Sequence, residues 1–368
     1  MNVKFWEKKP ETKEPKKKKS FAREWGDAIL FAVIAASLIR WATFEAYTIP
    51  TPSMEKSLLV GDFLFVSKLH YGPRTPMTPL QVPLTHQTIW GTNIPSYSKA
   101  IQLPSYRLPG FSEVKRNDVV VFNYPPEDEH PADLRTNYIK RAIGLPGDSL
   151  EIRDTQVYIN GKAIENPEEM QFKYIIIPTM QLSQKFFQDR DIRLGEVQLL
   201  DNGYVLDMTP AMADEISKLD IVKEVIPYKA SPGEAEAGVF PHVPSKLKWN
   251  RDFYGPIYVP KEGVTVAITP ESLPFYERII KEYEHNENVE TRDGKLFMDG
   301  QEVTQYTFKQ DYYFMMGDNR HNSLDSRYWG YVPADHVVGK AVMIWMSTNP
   351  EGSGFSKIRW NRIFNIIK

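Results

Sequence analysis

Tyr138-Ile-Lys-Arg-Ala-Ile-Gly-Leu-Pro-Gly-Asp148 is the stretch on which the reading of this chain turns. Tyr138 to Ile143 has the aromatic and β-branched content of a strand, and Gly144 to Asp148 is a turn of strand-stopping residues. Upstream, Asp118-Val-Val-Val-Phe-Asn-Tyr124 is a stronger β run, ended by Pro125-Pro126. Downstream, Val157-Tyr-Ile-Asn-Gly-Lys162 carries Asn160-Gly161 between apolar pieces, a hairpin signal that recurs in Leu296-Phe-Met-Asp-Gly-Gln301. Phe63 to Lys68 and Val337 to Met346 add further strands. The chain reads as mainly β.

Within the Tyr138 strand, Lys140 and Arg141 project to opposite faces, because strand side chains alternate. Alternation leaves open which of the two points inward. An inward lysine has chemical consequences: burial disfavours the ammonium and lowers its pKa, which makes a base available at neutral pH.

The chain has 368 residues, a net charge of -2 and no cysteine. That length holds one large domain or two ordinary ones. Without cysteine there is no thiol catalysis, disulfide or thiolate-bound metal. The near-neutral balance gives no reason to expect nucleic acid. No phosphate loop or zinc motif is present, so neither a metal nor an organic cofactor is expected.

Residues 1–19 carry eight lysines against three glutamates and read as a disordered basic tail. Ala28 to Ile39 is then apolar on all sides apart from Ser37, with Trp25 and Trp41 flanking it. A bilayer core asks for roughly 20 residues. Residues 24–44 approach that length if Arg40 snorkels to the interface. A cleaved signal peptide or a buried helix shares some of these features. A single-pass membrane anchor accounts for the basic tail, the tryptophans and the all-round apolarity together. Lysines on its N-terminal side put the tail in the cytoplasm and everything from Tyr47 onward outside the membrane.

Residues 72–112 hold seven prolines and no sustained period, and read as a long loop or ribbon. Apolar residues there, such as Trp90, Ile101 and Phe111, would face lipid, an extended substrate or the edge of the core. Residues 163–289 read as a mixed α/β insertion that interrupts a β unit made of 45–162 and 290–350. Its helix signals are Thr209-Pro210, followed by Met212, Ile216, Leu219, Val222 and Val225 on one face, and Phe275 to Glu284. The basic, aromatic tail 351–368 is expected to pack on the surface.

Two polar stretches could carry chemistry. Tyr47-Thr-Ile-Pro-Thr-Pro-Ser-Met-Glu-Lys-Ser-Leu-Leu-Val-Gly-Asp62 frames Ser53 with Pro50 and Pro52, which stiffen the backbone and hold the hydroxyl as a nucleophile requires. Gly317 to Gly330 gathers Asp318, Asn319, Arg320, His321, Ser323, Asp325 and Arg327 in one loop, dense in hydrogen-bonding groups. A serine nucleophile needs a base. Of seven histidines, His321 is the best placed because it lies in that loop. Lys140 is the alternative.

Ile49-Pro-Thr-Pro-Ser-Met54, Gly61-Asp62, Tyr138 to Asp148 and Gly317 to Arg327, in this order after an anchor, resemble the sequence boxes of bacterial type I signal peptidases. The resemblance covers the anchor and residues 45–71, 114–162 and 290–345. It implies a fold of antiparallel sheets around a Ser-Lys site, and a serine endopeptidase that removes signal peptides from exported preproteins after small residues. By motif position, it implies Ser53 as nucleophile and Lys140 as general base. Thr51 and the Ser53 backbone N–H would form the oxyanion hole. Ser323, Asp325, Asp318 and Arg327 would support the site.

The chain departs from the family pattern twice. Glu55-Lys56-Ser57 stands where a proline and a threonine are usual, and His321 where an acidic residue is frequent. A self-cleaving repressor-type Ser-Lys protease would need a DNA-binding domain in place of the anchor. A silent, membrane-tethered binding or assembly protein on the same fold would need a broken dyad. The preferred preproteins and the state of self-association are not written in the sequence.

Overall fold

The computed structural model describes residues 20–368, so the disorder and placement expected for residues 1–19 lie outside the described residues. Helix α1 (Phe21–Ala42) has 22 residues, none of them buried. At a rise of 1.5 Å per residue that is about 33 Å, enough to span a bilayer core. Its most apolar window has a mean hydropathy of 1.5. The helix begins three residues before the expected 24–44 and ends two residues short of it, because Phe44 onward pairs as a strand.

Seven strands build the central antiparallel sheet: β1 (Phe44–Thr48), β2 (Asp62–Ser67), β3 (Val119–Asn123), β4 (Asn137–Gly144), β5 (Tyr312–Met316), β6 (Val332–Pro333) and β7 (Val337–Ser347). Their spatial order is β1-β2-β7-β3-β4-β5-β6, and Asn365–Ile366 adds a short eighth strand on β7. β3 is buried at every position. Val119 and Val121 belong to one core with Met54, Leu64 and Ala341; Val120 and Phe122 belong to another with Ala142, Trp329 and Val332. A strand covered on both faces needs an unbroken apolar run, and Val-Val-Val-Phe supplies it.

The second sheet orders Tyr254–Tyr258, Ser149–Arg153, Gln156–Ile159 and Lys162–Ala163. Both expected hairpins are present, and Asn160-Gly161 and Asp299-Gly300 all have positive φ, as tight two-residue turns require. The stretch 72–112 is a two-limbed ribbon bridged at Arg74–Arg107, Gln81–Tyr97 and Thr88–Pro95. It is tied to the end of α1, where Trp41 Nε1 donates to the Arg74 carbonyl at 2.7 Å.

Residues 163–289 do not form one body. Val222–Pro227, Phe172–Pro178, Gly203–Met208 and Gln198–Leu200 make a separate four-stranded sheet. With the helices Gln184–Gln188 and Pro210–Ser217 it encloses its own core of Ile176, Phe187, Leu206 and Ile216. Later residues join the second sheet and its core. Tyr254–Tyr258 pairs with Ser149–Arg153, and Tyr276 and Ile280 share a core with Leu150 and Phe314.

The apolar face expected to continue as helix from Met212 to Val225 also breaks. The helix stops at Ser217, and Val222 and Val225 belong to a strand paired with Phe172–Pro178. Pairing with a neighbouring strand overrides a helical spacing of β-branched residues, which fit a pleated surface better. Tail residues 351–368 do pack on the surface, where Arg362 reaches the Asp62 carboxylate at 2.6 Å.

Candidate functional site

Pro52–Met54 forms a single 3-10 turn in the connection from β1 to β2. It buries Ser53 and seats Met54 in the core. β4 runs past this turn. Lys140 Nζ donates to Ser53 Oγ at 2.7 Å and to the Ile139 carbonyl at 2.8 Å. Only 4% of Lys140 is exposed. Burial lowers its pKa from 10.5 to about 8, against the upward pull of the Asp325 and Asp318 carboxylates. With a pKa near 8, about a tenth of the side chain is neutral at pH 7.

The polar loop holds this pair from behind. Asn319 N–H donates to the Ser53 carbonyl at 3.1 Å, and Asn319 Nδ2 to the Pro52 carbonyl at 3.3 Å. Ser57 Oγ donates to Asp318 Oδ2 at 2.6 Å. Asp318 also takes a two-point ion pair from Arg141, at 2.8 and 2.6 Å. Asp325 accepts from Gly317 N–H at 3.0 Å and from Arg327 Nε and Nη2 at 2.9 and 2.8 Å. Burial pushes the Asp325 carboxyl up, but the Arg327 charge and these hydrogen bonds outweigh it and hold the group below the ordinary carboxylate range. Arg327 Nη2 closes the loop on the Arg320 carbonyl at 2.6 Å.

Ser53, Lys140, Ser323, Asp318, Asp325 and Arg327 are thus all buried around one turn. Ser323 Oγ lies against Gly317 and beside the Asp325 carboxylate, which it helps to hold down; among the described residues no bond joins it to Lys140. Thr51 stands at the start of the Ser53 turn, exposed, with its side chain unbonded to the helical amides.

His321 is not near the serine hydroxyl by any hydrogen bond. Its Nδ1 accepts from Lys173 N–H at 3.1 Å and its Nε2 meets Asp252 Oδ1 at 2.6 Å, with 1% of each of the two side chains exposed. Burial holds the imidazole pKa down, against the pull of Asp252. Asp252 thus brings a carboxylate to the buried imidazole.

Ser57 was passed over by sequence reasoning, and Arg141 and Asn319 were named there without a role. Arg141 had a signal, since it adjoins Lys140 on a strand. Ser57 had none, because its partner Asp318 is 261 residues away.

On its Ser53 side β4 is partly open. Residues 137–140 pair with β3 alone, whereas β5 joins only from Arg141 onward. Beyond Asn137 lies a cavity of about 240 Å³, lined by Arg40, Glu45, Tyr47, Lys68 and Arg74 among others.

Comparison with known proteins is consistent with this geometry. The profile of the family described as "Signal peptidase, peptidase S26" matches residues 22–204 and 257–346. Signal peptidase I of Buchnera aphidicola from Acyrthosiphon pisum is 27% identical over 90% of this chain and 78% of its own length. The Pseudomonas aeruginosa protein of that name is 25% identical over 92% and 77%, and that of Rickettsia massiliae 28% identical over 90% and 81%. The gap in the profile match, 205–256, falls on the second half of the separate α/β sheet and the segment that follows it. From its mainly antiparallel β fold, its apolar N-terminal helix and this match over most of its length, the chain belongs to the peptidase S26 family of signal peptidases, serine endopeptidases that process exported preproteins.

Proposed function

We propose that this chain cleaves signal peptides with Ser53 as nucleophile and neutral Lys140 as general base, cutting after small residues. The observation that carries the reading is the 2.7 Å contact between Lys140 Nζ and Ser53 Oγ, made by a lysine whose burial favours its neutral form. Lys140 takes the hydroxyl proton as Ser53 Oγ bonds to the scissile carbonyl carbon. Thr51 and the Ser53 backbone N–H donate to the oxygen that becomes negative, each donor contributing on the order of 3 kcal/mol at the transition state. The C–N bond then breaks, and Lys140 returns the proton to the leaving amine. Water attacks the resulting ester by the same proton route in reverse and frees Ser53.

Asp318, Asp325, Arg327 and Ser323 keep the turn and the lysine in register. The open edge at 137–140 suits an extended peptide, whose main chain would hydrogen-bond there as an added strand. The residues before the cut would then run toward the cavity beyond Asn137. Small residues near the cut complete the reading.

Helix α1 is read as a single-pass anchor, with the N-terminus cytoplasmic and the sheets on the outer face of the inner membrane. The absence of cysteine makes this directly testable with Asn2→Cys and Asn365→Cys in separate chains. A membrane-impermeant maleimide added outside should label the second and not the first.

The deciding experiment incubates the full chain in detergent with a preprotein and reads the cut by mass spectrometry. Cleavage after a small-x-small sequence is expected, lost in Ser53→Ala and reduced at least about 100-fold in Lys140→Ala. Full activity in the Lys140 variant would remove the dyad. No cleavage by the parent chain would favour the silent binding protein.

A further inference from the structure

Lys56 and Glu55 lie immediately after the nucleophile turn, yet neither contributes to the dyad. Lys56 adopts φ +70, a left-handed conformation that costs a non-glycine residue on the order of 1 kcal/mol. That backbone sends its side chain away from Ser53 and into the separate α/β sheet unit. Lys56 Nζ donates to two carbonyls there, Arg190 O and Asp191 O, both at 3.1 Å. They belong to the segment that leaves the helix Gln184–Gln188. Glu55 is 5% exposed and faces Arg193 and Glu196 of the same unit.

The unit is also fixed from the other side of the site. Gln171 N–H donates to the Asp318 carbonyl at 2.9 Å, and Arg320 N–H to the Gln171 carbonyl at 2.9 Å. Lys173 N–H donates to His321. One end of the unit therefore grips the loop that holds Ser53 from behind, and the other end grips the turn two residues past Met54. Acceptors that are backbone carbonyls ask for a long cationic donor rather than for a particular partner side chain.

We propose that residues 171–227 are a positioning element for the nucleophile turn, and that Lys56 is the positioning residue through which they act. The proposal rests on Ser53 being the nucleophile. Lys56 touches neither substrate nor the reacting atoms in this account. It fixes the exit of the 3-10 turn, and so the angle at which Ser53 Oγ meets Lys140. A displacement of about 1 Å in a reacting group can cost on the order of 100-fold in rate.

The test compares Lys56→Met, which keeps the stem and removes the donors, with Lys56→Arg, which restores them. Full-length proteins in detergent are assayed on one preprotein, with kcat, KM and thermal melting measured separately, and Ser53→Ala run alongside. Lys56→Met should lower kcat at least about tenfold with KM within about twofold, and Lys56→Arg should recover most of the loss. If Lys56→Met does not fold, Lys56→Gln takes its place with the same readouts. A variant with parental kcat, or a loss that Arg fails to rescue, overturns the proposal while inactive Ser53→Ala leaves the nucleophile standing. Activity in Ser53→Ala would instead overturn the nucleophile on which the proposal rests.

Discussion

Arg141 and Asp318 form a two-point ion pair, with 6% and 0% of their side chains exposed, next to the residue whose Nζ meets Ser53. Lys140 and Arg141 face opposite Val120 and Val119, which belong to different cores. One residue of the pair thus meets Ser53 and the other holds the loop behind it. Asp318→Ala leaves the Arg141 charge buried without its carboxylate and strips Ser57 of its acceptor. A loss of about 3–5 kcal/mol in urea unfolding is expected, because an unpaired buried charge is far costlier than an absent pair. The double variant Arg141→Met with Asp318→Leu should recover much of that stability.

Gly317 offers a test with one methyl group. A Cβ there would lie 2.2 Å from Ser323 Oγ and 2.5 Å from the Ser53 carbonyl. Neither can stay, so Gly317→Ala should push the nucleophile turn off Lys140. Loss of kcat on the order of 100-fold is expected, read by steady-state cleavage, with circular dichroism to show that the sheets persist.

Lys140 predicts the shape of the pH profile. The active form is the neutral amine, so kcat/KM should rise about tenfold per pH unit below pH 8 and level off above it. Stability follows the same group with a definite sign. The unfolded lysine titrates near 10.5 and the folded one near 8, so the unfolded chain holds more protons between those values. Stability therefore rises with pH through that window, and the whole burial cost is felt below it. Lys140→Met should be inactive and yet more stable at pH 7, by up to about 3 kcal/mol, with the gain shrinking toward pH 10.

Glu55 carries the opposite dependence. Burial, with Glu196 next, pushes its carboxyl up to about 7, against the pull of Arg193, Lys56 and Arg359. The folded state keeps a proton that the unfolded chain releases from about 4.5 upward, so stability falls as pH rises from there to about 7. One of its oxygens is buried without a hydrogen-bond partner among the described residues. Glu55→Gln should remove this loss. Thermal melts are expected to show a gain on the order of 2 kcal/mol at pH 8 and little difference near pH 4.5.

Sequence alone determined the local elements and named most of the residues that the fold gathers around Ser53. The β runs, the two Asn-Gly and Asp-Gly hairpins and the apolar N-terminal helix follow from short-range properties: propensity, turn conformation and the length of an apolar run. The boxes around Ser53, Lys140 and Asp318 were legible because their spacing is a local pattern. Tertiary structure alone decided what alternation could not, namely that Lys140 and Arg141 are both buried. The period-2 argument assumes one wet face, and β4 has core on both sides beyond Ile139. It also decided where the α/β unit ends, since Tyr254–Tyr258 and the helix Leu273–Arg278 find partners outside it. The Glu55-Lys56-Ser57 departure gains its meaning in the same way. Ser57 meets Asp318 and Lys56 meets Arg190 across 261 and 134 residues of chain, contacts that no local pattern can carry.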